Sequence, residues 1–200
     1  MNQSDPHPDE TSPINTSPVG FAPAGAALPV DELISSLCAT VVDYPKPGIV
    51  FKDLTPVFAG GAAFKAVVDA LVRPFRGSFD AVAGVEARGF LLAAAAAYAT
   101  DTGVVTVRKA GKLPREVISE DYSLEYGTAT LELHSADLAP GTLVLILDDV
   151  LATGGTLGAT ARLFERCGVE VTGIGVVLEI GDLNGRAALD GHRIHSLLNL

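Results

Sequence analysis

Two adjacent carboxylates stand between an apolar run and a turn of small residues. The run is Leu143–Leu147, the carboxylates are Asp148 and Asp149, and the turn is Ala152–Thr156. Glycines let a backbone curl around a phosphate, and the free N–H groups at the start of a helix attract one. Adjacent carboxylates cannot neutralise a phosphate, so we expect this pair to bind sugar hydroxyls or a hydrated Mg²⁺.

Two common phosphate-binding motifs do not match this chain. No segment has the pattern G-x-x-x-x-G-K-[ST]. The best candidate for G-x-G-x-x-G begins at Gly173 but has Leu178 in place of the third glycine. What remains is a site for a sugar phosphate with vicinal hydroxyls.

The elements around this site predict an α/β fold with a mostly parallel sheet flanked by helices. Apolar runs at 81–85, 104–107, 143–147 and 169–178 alternate with helical patterns at 90–100 and 157–167. Such alternation is typical of βαβ units, whose ligands bind beyond the carboxyl ends of the strands. Residues 128–134 alternate between apolar and polar side chains, which predicts a half-exposed strand at an edge.

The first 27 residues differ in composition from the rest of the chain. They hold five of the twelve prolines and no lysine or arginine. Such a segment lacks the apolar residues that would stabilise an ordered structure. We therefore predict a disordered tail at 1–27 and one domain at 28–200.

Composition argues against several classes of protein. The 200 residues are 48% hydrophobic, which is enough for a core, and the net charge of −10 repels nucleic acids. The uncharged stretch 11–30 contains four prolines, so we expect no membrane span there. The first cation is Lys46, so no basic signal-peptide region is expected. We expect a cytoplasmic protein.

Five segments together resemble the type I phosphoribosyltransferases, and most closely the members that act on adenine. The segment 148–156 resembles the family's motif for phosphoribosyl pyrophosphate (PRPP), and the others, in family order, are 43–53, 86–90, 108–115 and 122–127. The resemblance covers the chain from about Leu28 to its C-terminus. It implies the fold of that family, with a small hood formed by the N-terminal loop and 179–185, an antiparallel lid-strand region around 108–134, and a mobile lid loop at 111–127.

The resemblance also implies an activity, a cofactor and a partner. The expected reaction transfers the phosphoribosyl group of PRPP to adenine, which gives AMP and pyrophosphate and uses Mg²⁺. The metal is expected to bind through the substrate and, directly or through water, to Asp148 and Asp149. Arg108 and Lys109 resemble residues that reach the neighbouring subunit's site, which implies a homodimer.

The residues implied for PRPP and AMP binding surround both phosphate-bearing ends of the substrate. They are Arg88, Arg108, Lys109, Lys112, Tyr126, Asp148, Asp149, Ala152, Thr153, Gly154, Gly155 and Thr156. Residues 108–115 hold four of the fourteen cations, which suits a pyrophosphate leaving group. Catalytic roles are implied for Arg88, Asp148 and Asp149, and Glu125 is a candidate general acid.

Adenine recognition is expected to involve two separate stretches. Phe51 is the expected stacking face, with backbone groups of Val50 and Lys52 at the base edge and Ile180 on the other face. Members that act on 6-oxopurines tend to use a hood lysine, and residues 176–181 contain none. Two alternatives remain open: a phosphoribosyltransferase for another purine such as xanthine, and a PRPP-sensing regulator that binds DNA or RNA.

Overall fold

The computed structural model describes residues 28–44, 46–124 and 127–200. The predicted tail at 1–27 therefore lies outside the described residues, as do Glu125 and Tyr126. The strands are β1 (Ala39–Val42), β2 (Val50–Asp53), β3 (Ala81–Val85), β4 (Gly103–Lys109), β5 (Val117–Leu124), β6 (Gly127–His134), β7 (Leu143–Leu151), β8 (Glu170–Glu179) and β9 (Ile194–Asn199). The helices are α1 (Val30–Leu37), α2 (Thr55–Ala59), α3 (Gly61–Val72), α4 (Gly89–Thr100) and α5 (Gly155–Arg166).

The main sheet is mostly parallel, as the alternation of apolar runs and helices predicted. Its order within the described residues is β5-β6-β4-β3-β7-β8-β9. Strands β4, β3, β7, β8 and β9 run parallel, while β6 pairs antiparallel with both β4 and β5. Strand β7 lies in the middle of the parallel part, so its carboxyl end opens between two parallel neighbours.

Both faces of the sheet are covered, which explains the continuous apolar runs. Along β7, Val144 and Ile146 pack into the core cluster on the side of α5, and Leu145 and Leu147 pack into the one on the side of α3 and α4. Successive strand residues point to opposite faces, so a strand buried on both sides has no polar alternation.

Two expectations about residues 111–134 need correction. The strand at 128–134 is not at the edge, because β5 pairs with β6 and forms the edge itself. Much of the segment predicted to be a lid loop is strand β5, and Tyr122 on it is only 8% exposed. Tyr122 packs with Leu131 and Leu133 in the core cluster of α5. Among the β5 side chains whose burial the structure describes, only Tyr122 is buried, while Ile118 packs partly against the same cluster, so the strand had no recognisable core pattern.

The predicted hood corresponds to two small structures outside the main sheet. Strands β1 and β2 pair antiparallel in a separate two-stranded sheet. After β8, two short 3₁₀ helices span Gly181–Leu183 and Gly185–Leu189. In the described part of the chain, no helix is long and apolar enough to cross a membrane.

Candidate active site

Strand β7 holds the carboxylate pair. It continues to Leu151, beyond the end predicted at Leu147, so Asp148 and Asp149 lie within the strand. Each is 8% exposed. In register, Asp148 pairs with Val176 of β8. The strand backbone therefore fixes both carboxylates, and the turn begins only after them.

Arg88 and the two carboxylates form a tightly packed charge cluster. Burial, reinforced by the negative charge of Asp149, raises the pKa of Asp148 well above its ordinary value. Asp148 Oδ1 accepts a hydrogen bond from the Asp149 N–H at 2.8 Å. Arg88 Nε lies 2.5 Å from Asp149 Oδ2, an ion-pair contact without hydrogen-bond geometry. Arg88 therefore pairs with Asp149, whereas the raised pKa of Asp148 favours its protonated form over a wider pH range than for an ordinary aspartate.

The donor set fits Mg²⁺ only together with a substrate. Among the described residues, no three His, Cys, Asp or Glu side chains are grouped to hold a metal ion. Mg²⁺ usually binds one or two carboxylates together with substrate phosphates and water. The carboxylate pair supplies oxygen atoms of this kind, and Asp149 Oδ2 makes no hydrogen bond within the described part of the chain, although Arg88 Nε already lies against it.

The turn between β7 and α5 forms a small pocket at the start of a helix. Gly154 has φ +81° and precedes the first residue of α5, which begins at Gly155 rather than at the predicted Leu157. No side chain of the described residues caps this helix start. A cavity of about 70 Å³ is lined by Asp148, Val150, Leu151, Ala152, Thr153, Gly154, Gly155, Thr156 and Leu157. Backbone N–H groups at such a helix start can bind a phosphate.

Helix α4 begins close to the sheet, and this close approach fixes the position of Arg88 beside the carboxylates. A Cβ on Gly89 would lie 2.8 Å from the Leu147 carbonyl oxygen and 3.1 Å from Asp148 Oδ1. A Cβ on Gly84 would lie 2.6 Å from the Gly89 carbonyl oxygen. Because glycine stands at both positions, the start of α4 reaches the carboxylates. The loop before α4 contains a cis peptide bond between Glu86 and Ala87.

A second cavity, of about 450 Å³, brings distant parts of the sequence together. Its lining residues are Glu86, Ala87, Arg88, Lys109, Tyr122, Leu131, Asp148, Asp149 and Thr156. Two cations thus face the carboxylate pair across a volume that also touches the start of α5. The pocket can hold an anionic group next to a hydroxylated one.

Glu86 links the loop before α4 to the end of β4. Its Oε2 accepts a hydrogen bond from the Lys109 N–H at 2.9 Å and lies 3.5 Å from Arg108 Nε. Arg108 itself lies 5.9 Å from the Phe90 ring centroid and donates to the Lys112 carbonyl oxygen at 3.2 Å. Arg108 and Lys112 do not line the second cavity, whereas Lys109 does.

The residues expected at the base lie beside this cavity, on the β1–β2 hairpin. The Phe51 ring packs edge-on against Tyr44 at 5.3 Å and lies 5.7 Å from the Arg88 guanidinium. Val50 is 56% exposed, and Lys52 Nζ donates to Thr40 Oγ1 at 2.8 Å. Arg88 therefore connects the hairpin to the carboxylate pair.

Ile180 follows β8 directly and lies next to the end of β7. Its N–H donates to the Leu151 carbonyl oxygen at 2.9 Å. This bond brings the predicted hood residue close to the turn that follows Leu151. The two remaining predicted site residues, Glu125 and Tyr126, are outside the described residues.

Four residues that line the second cavity were absent from the predicted site: Glu86, Ala87, Tyr122 and Leu131. Glu86 belongs to the recognised segment 86–90, but its contact with Lys109 joins residues 23 positions apart. Tyr122 lies on β5 and reaches the cavity because that strand packs on α5. The recognised segments 86–90 and 122–127 contain Glu86 and Tyr122, but no local pattern indicated that these two residues line one cavity with the carboxylate pair.

Comparison with known proteins gives consistent matches over most of the chain. A family model described as "Phosphoribosyl transferase domain" matches residues 57–192. An adenine phosphoribosyltransferase from Arthrobacter sp. (strain FB24) is 81% identical over 174 residues, 87% of this chain and 94% of the relative. The crystal structure of the enzyme of that name from Thermoanaerobacter pseudethanolicus has a TM-score of 0.82 at 45% identity and covers 84% of this chain and 99% of its own.

A solved structure with bound ligands is also similar. The adenine phosphoribosyltransferase from Saccharomyces cerevisiae, complexed with an imino-altritol bisphosphate and adenine, has a TM-score of 0.80 at 33% identity. The match covers 84% of this chain and 98% of the yeast chain.

Proposed function

The chain belongs to the phosphoribosyl transferase family, as its motifs predicted, and from that premise we propose that it converts adenine and PRPP to AMP and pyrophosphate. The structural observation that carries this is the cavity in which Arg88 and Lys109 face Asp148 and Asp149. The cavity also touches Thr156 in the first turn of α5, so one pocket offers groups for an anion, a hydroxylated sugar and a second phosphate. The predicted transferase activity and purine-salvage role are confirmed by relatives up to 81% identical.

The reaction is a displacement at C1 of the ribose. The C1–O bond to pyrophosphate breaks and its electron pair leaves with pyrophosphate. N9 of adenine forms the new bond to C1, and the N9 proton is released. The protein must orient both reactants and stabilise the charge that moves onto the leaving group.

Asp148 and Asp149 bind the ribose hydroxyls and, directly or through water, Mg²⁺. Carboxylate oxygens accept hydrogen bonds from vicinal hydroxyls, and Asp149 Oδ2 is buried without a hydrogen-bond partner among the described residues. The Mg²⁺ bound with PRPP supplies positive charge at the leaving pyrophosphate. The backbone of 152–156 binds the 5′-phosphate at the start of α5.

Arg88 and Lys109 stabilise the pyrophosphate from within the same chain. The homodimer was expected from Arg108 and Lys109, which resemble residues that reach the neighbouring subunit's site; Lys109 lines the cavity of its own chain, whereas Arg108 does not. Helix α4 supports the dimer, since it is apolar around its circumference and leaves Leu91 52% and Tyr98 92% exposed. An interface through α4 would bring the neighbouring segment 86–112 of one protomer to the other.

Adenine binds against Phe51 on one face and Ile180 on the other, with backbone groups of Val50 and Lys52 at its edge. The position of Phe51 beside Arg88 supports this assignment, because Arg88 also contacts Asp149 of the pair proposed to bind the ribose. The relatives that match most of the chain are named for adenine, which favours neither xanthine as the substrate nor a regulatory role.

Several expectations stay predictions. They are the disordered tail at 1–27, the acid role of Glu125, the binding role of Tyr126, the cytoplasmic location, and the absence of nucleic-acid and membrane partners. Replacement of Glu125 by Gln tests the acid role, since an essential proton donor would lower kcat on substitution.

The proposed function is tested by incubating the protein with PRPP, Mg²⁺ and one purine at a time. We expect AMP and pyrophosphate from adenine, and no mononucleotide from xanthine, hypoxanthine or guanine. The double substitution Asp148→Ala/Asp149→Ala is the matched inactive control. Turnover of xanthine but not adenine would contradict the assignment.

A further inference from the structure

An ion pair next to the phosphate turn joins residues that no motif connects. Both oxygens of the Glu179 carboxylate accept hydrogen bonds from Arg186, each at 2.7 Å. Glu179 is the last residue of β8 and is 6% exposed. Arg186 Nη2 also lies 3.2 Å from Ser196 Oγ on β9, to which it donates a hydrogen bond. The pair therefore closes the segment 180–185 into a loop anchored on two strands.

The geometry of this ion pair indicates that it orients the segment 180–185 more than it stabilises the fold. The hydrogen bonds from Arg186 lower the pKa of Glu179, so the pair is charged at neutral pH. A bidentate guanidinium–carboxylate contact restrains direction as well as distance. The Arg186 side chain is 48% exposed, however, and solvent screening reduces what such a contact contributes to stability.

One end of the anchored segment packs on the phosphate turn. A Cβ on Gly154 would clash with the Gly185 carbonyl oxygen, and a Cβ on Gly185 would clash with the Ala152 carbonyl oxygen. A Cβ on Gly158, in α5, would lie 3.2 Å from the Ala188 carbonyl oxygen. The backbone around Arg186 thus forms the outer wall of the turn that receives the 5′-phosphate.

The other end of the segment carries the hood residue Ile180. The Ile180 N–H bonds to the Leu151 carbonyl oxygen at 2.9 Å, and the Gly181 N–H bonds to the Leu200 carbonyl oxygen at 3.0 Å. A further hydrogen bond at the end of β8 runs from the Leu200 N–H to the Glu179 carbonyl oxygen, at 2.8 Å. The ion pair is therefore next in sequence to Ile180, which is proposed to contact the base, and close in space to the turn that is proposed to bind the 5′-phosphate.

We propose that Glu179 and Arg186 are positioning residues that hold Ile180 and the turn 152–154 in a single arrangement. This inference rests on the proposed function. Neither residue lines the two cavities of the site, so neither touches substrate. When the pair is broken, the segment 180–189 shifts away from both surfaces together. Binding of PRPP and of adenine then weakens, while the chemistry at C1 is unaffected.

The test is steady-state kinetics of Arg186→Met with each substrate varied in turn. We expect KM to rise about 10-fold for PRPP and about 10-fold for adenine, with kcat within about 2-fold of the unmodified protein. A purely structural role would instead reduce the active fraction, which lowers kcat and leaves both KM values unchanged. Arg186→Lys keeps the charge but loses the bidentate contact, so it should restore both KM values in part.

Arg166→Met is the matched control. Arg166 also pairs with a strand carboxylate, Glu120 at 3.0 Å, and its side chain is 52% exposed. It lies at the far end of α5 from the turn, so we expect wild-type KM values. The inference is overturned if Arg166→Met raises both KM values equally, if Arg186→Met changes only one of them, or if only kcat falls.

Two further measurements distinguish a variant that fails to fold from a proposed function that is wrong. If Arg186→Met does not fold, Glu179→Gln replaces it, because the amide keeps the shape of the carboxylate and loses the charge. If the unmodified protein does not turn over adenine, the proposed function is wrong. The positioning role is then judged by calorimetric affinity for PRPP, which should fall about 10-fold in the Arg186 variant. An unchanged affinity would overturn it.

Discussion

The phosphate turn and the β1–β2 hairpin are the two sides of the site, and they are constructed differently. The turn is one contiguous stretch between β7 and α5, and the carboxylates Asp148 and Asp149, in β7 just before it, are each 8% exposed. The hairpin is a separate two-stranded sheet in which Val50 is 56% exposed. The turn is therefore held by the main sheet, whereas the hairpin contacts the rest of the site through side chains such as Phe51, which lies beside Arg88.

The difference indicates how the two substrates are bound. A pocket lined by backbone and held by tight packing is preorganised, so PRPP meets a site that needs little rearrangement. A two-stranded hairpin has little stability of its own, so the base side depends on contacts with Arg88 and with the ligand. Arg88 contacts both Asp149 and Phe51 and is the residue the two sides share.

The largest expected effect comes from disturbing the turn itself with Gly154→Ala. The residue has φ +81°, and a Cβ would clash with the Gly185 carbonyl oxygen and lie 2.9 Å from Ala188 Cβ. We expect kcat/KM for PRPP to fall about 100-fold, because small misplacements of a binding surface have effects of that order. Initial rates at varied PRPP measure the change.

Gly191→Ala serves as the control for that substitution. Gly191 has φ +87°, but a Cβ there would meet nothing within 4 Å. An alanine at position 191 has a backbone strain similar to that of an alanine at position 154, because both residues have a positive φ. It differs in that it makes no clash with the turn. A comparable loss of PRPP efficiency in both variants would show that the turn is not specially sensitive.

A medium effect is expected on the base side from Phe51→Ala. Stacking of a base on an aromatic ring contributes about 1–3 kcal/mol, so KM for adenine should rise about 30-fold. KM for PRPP should change by less than about 3-fold, since the turn is independent of the hairpin. Kinetics with each substrate varied in turn measure both values.

The matched variant is Phe58→Ala, which removes a similar edge-on aromatic pair with Phe64, at 5.5 Å, away from the site. We expect it to lower stability without a selective change in the adenine KM. An equal rise in both KM values for Phe51→Ala would show that the two sides are not separable.

The smallest effect is a pH-dependent gain of stability in Asp148→Asn. Because its pKa is raised, folded Asp148 binds more protons than the unfolded chain above pH 3.8, so stability falls as pH rises through the folded pKa. The amide removes this loss, and we expect Tm at pH 7 to rise about 2–4 °C. The difference between the two proteins should disappear near pH 4.

Thermal unfolding of both proteins between pH 4 and pH 8, without ligands, measures this difference. Asp182→Asn, at an exposed carboxylate, is the comparison and should show no such trend. A Tm gain that persists unchanged at pH 4 would mean that the charge of Asp148 is not its cause. The AMP-forming activity of Asp148→Asn should fall, since the carboxylate binds substrate.

Contiguous features were predictable because their signals are local. The apolar run of β7, the paired carboxylates and the glycines at the start of α5 follow one another, and each depends on backbone conformation within a few residues. The prediction of a parallel sheet succeeded for the same reason, since its strands are buried runs between helices. The antiparallel region predicted around 108–134 is confirmed by the pairing of β5 with β6, whereas the loop predicted at 111–127 is a strand over β5. No local pattern shows the burial of Tyr122, because it depends on packing against α5.

The amino-acid sequence by itself determined the family, the phosphate turn and the order of the main elements, since these are written in short patterns of residue type. Only the tertiary structure decided which charged side chains meet: Arg88 with Asp149, Glu86 with Arg108, and Glu179 with Arg186. The first two pairs depend on how strands lie side by side, and the third depends on how a short helix folds back on a strand end. Those distances are set by packing of the whole core, which no local pattern specifies.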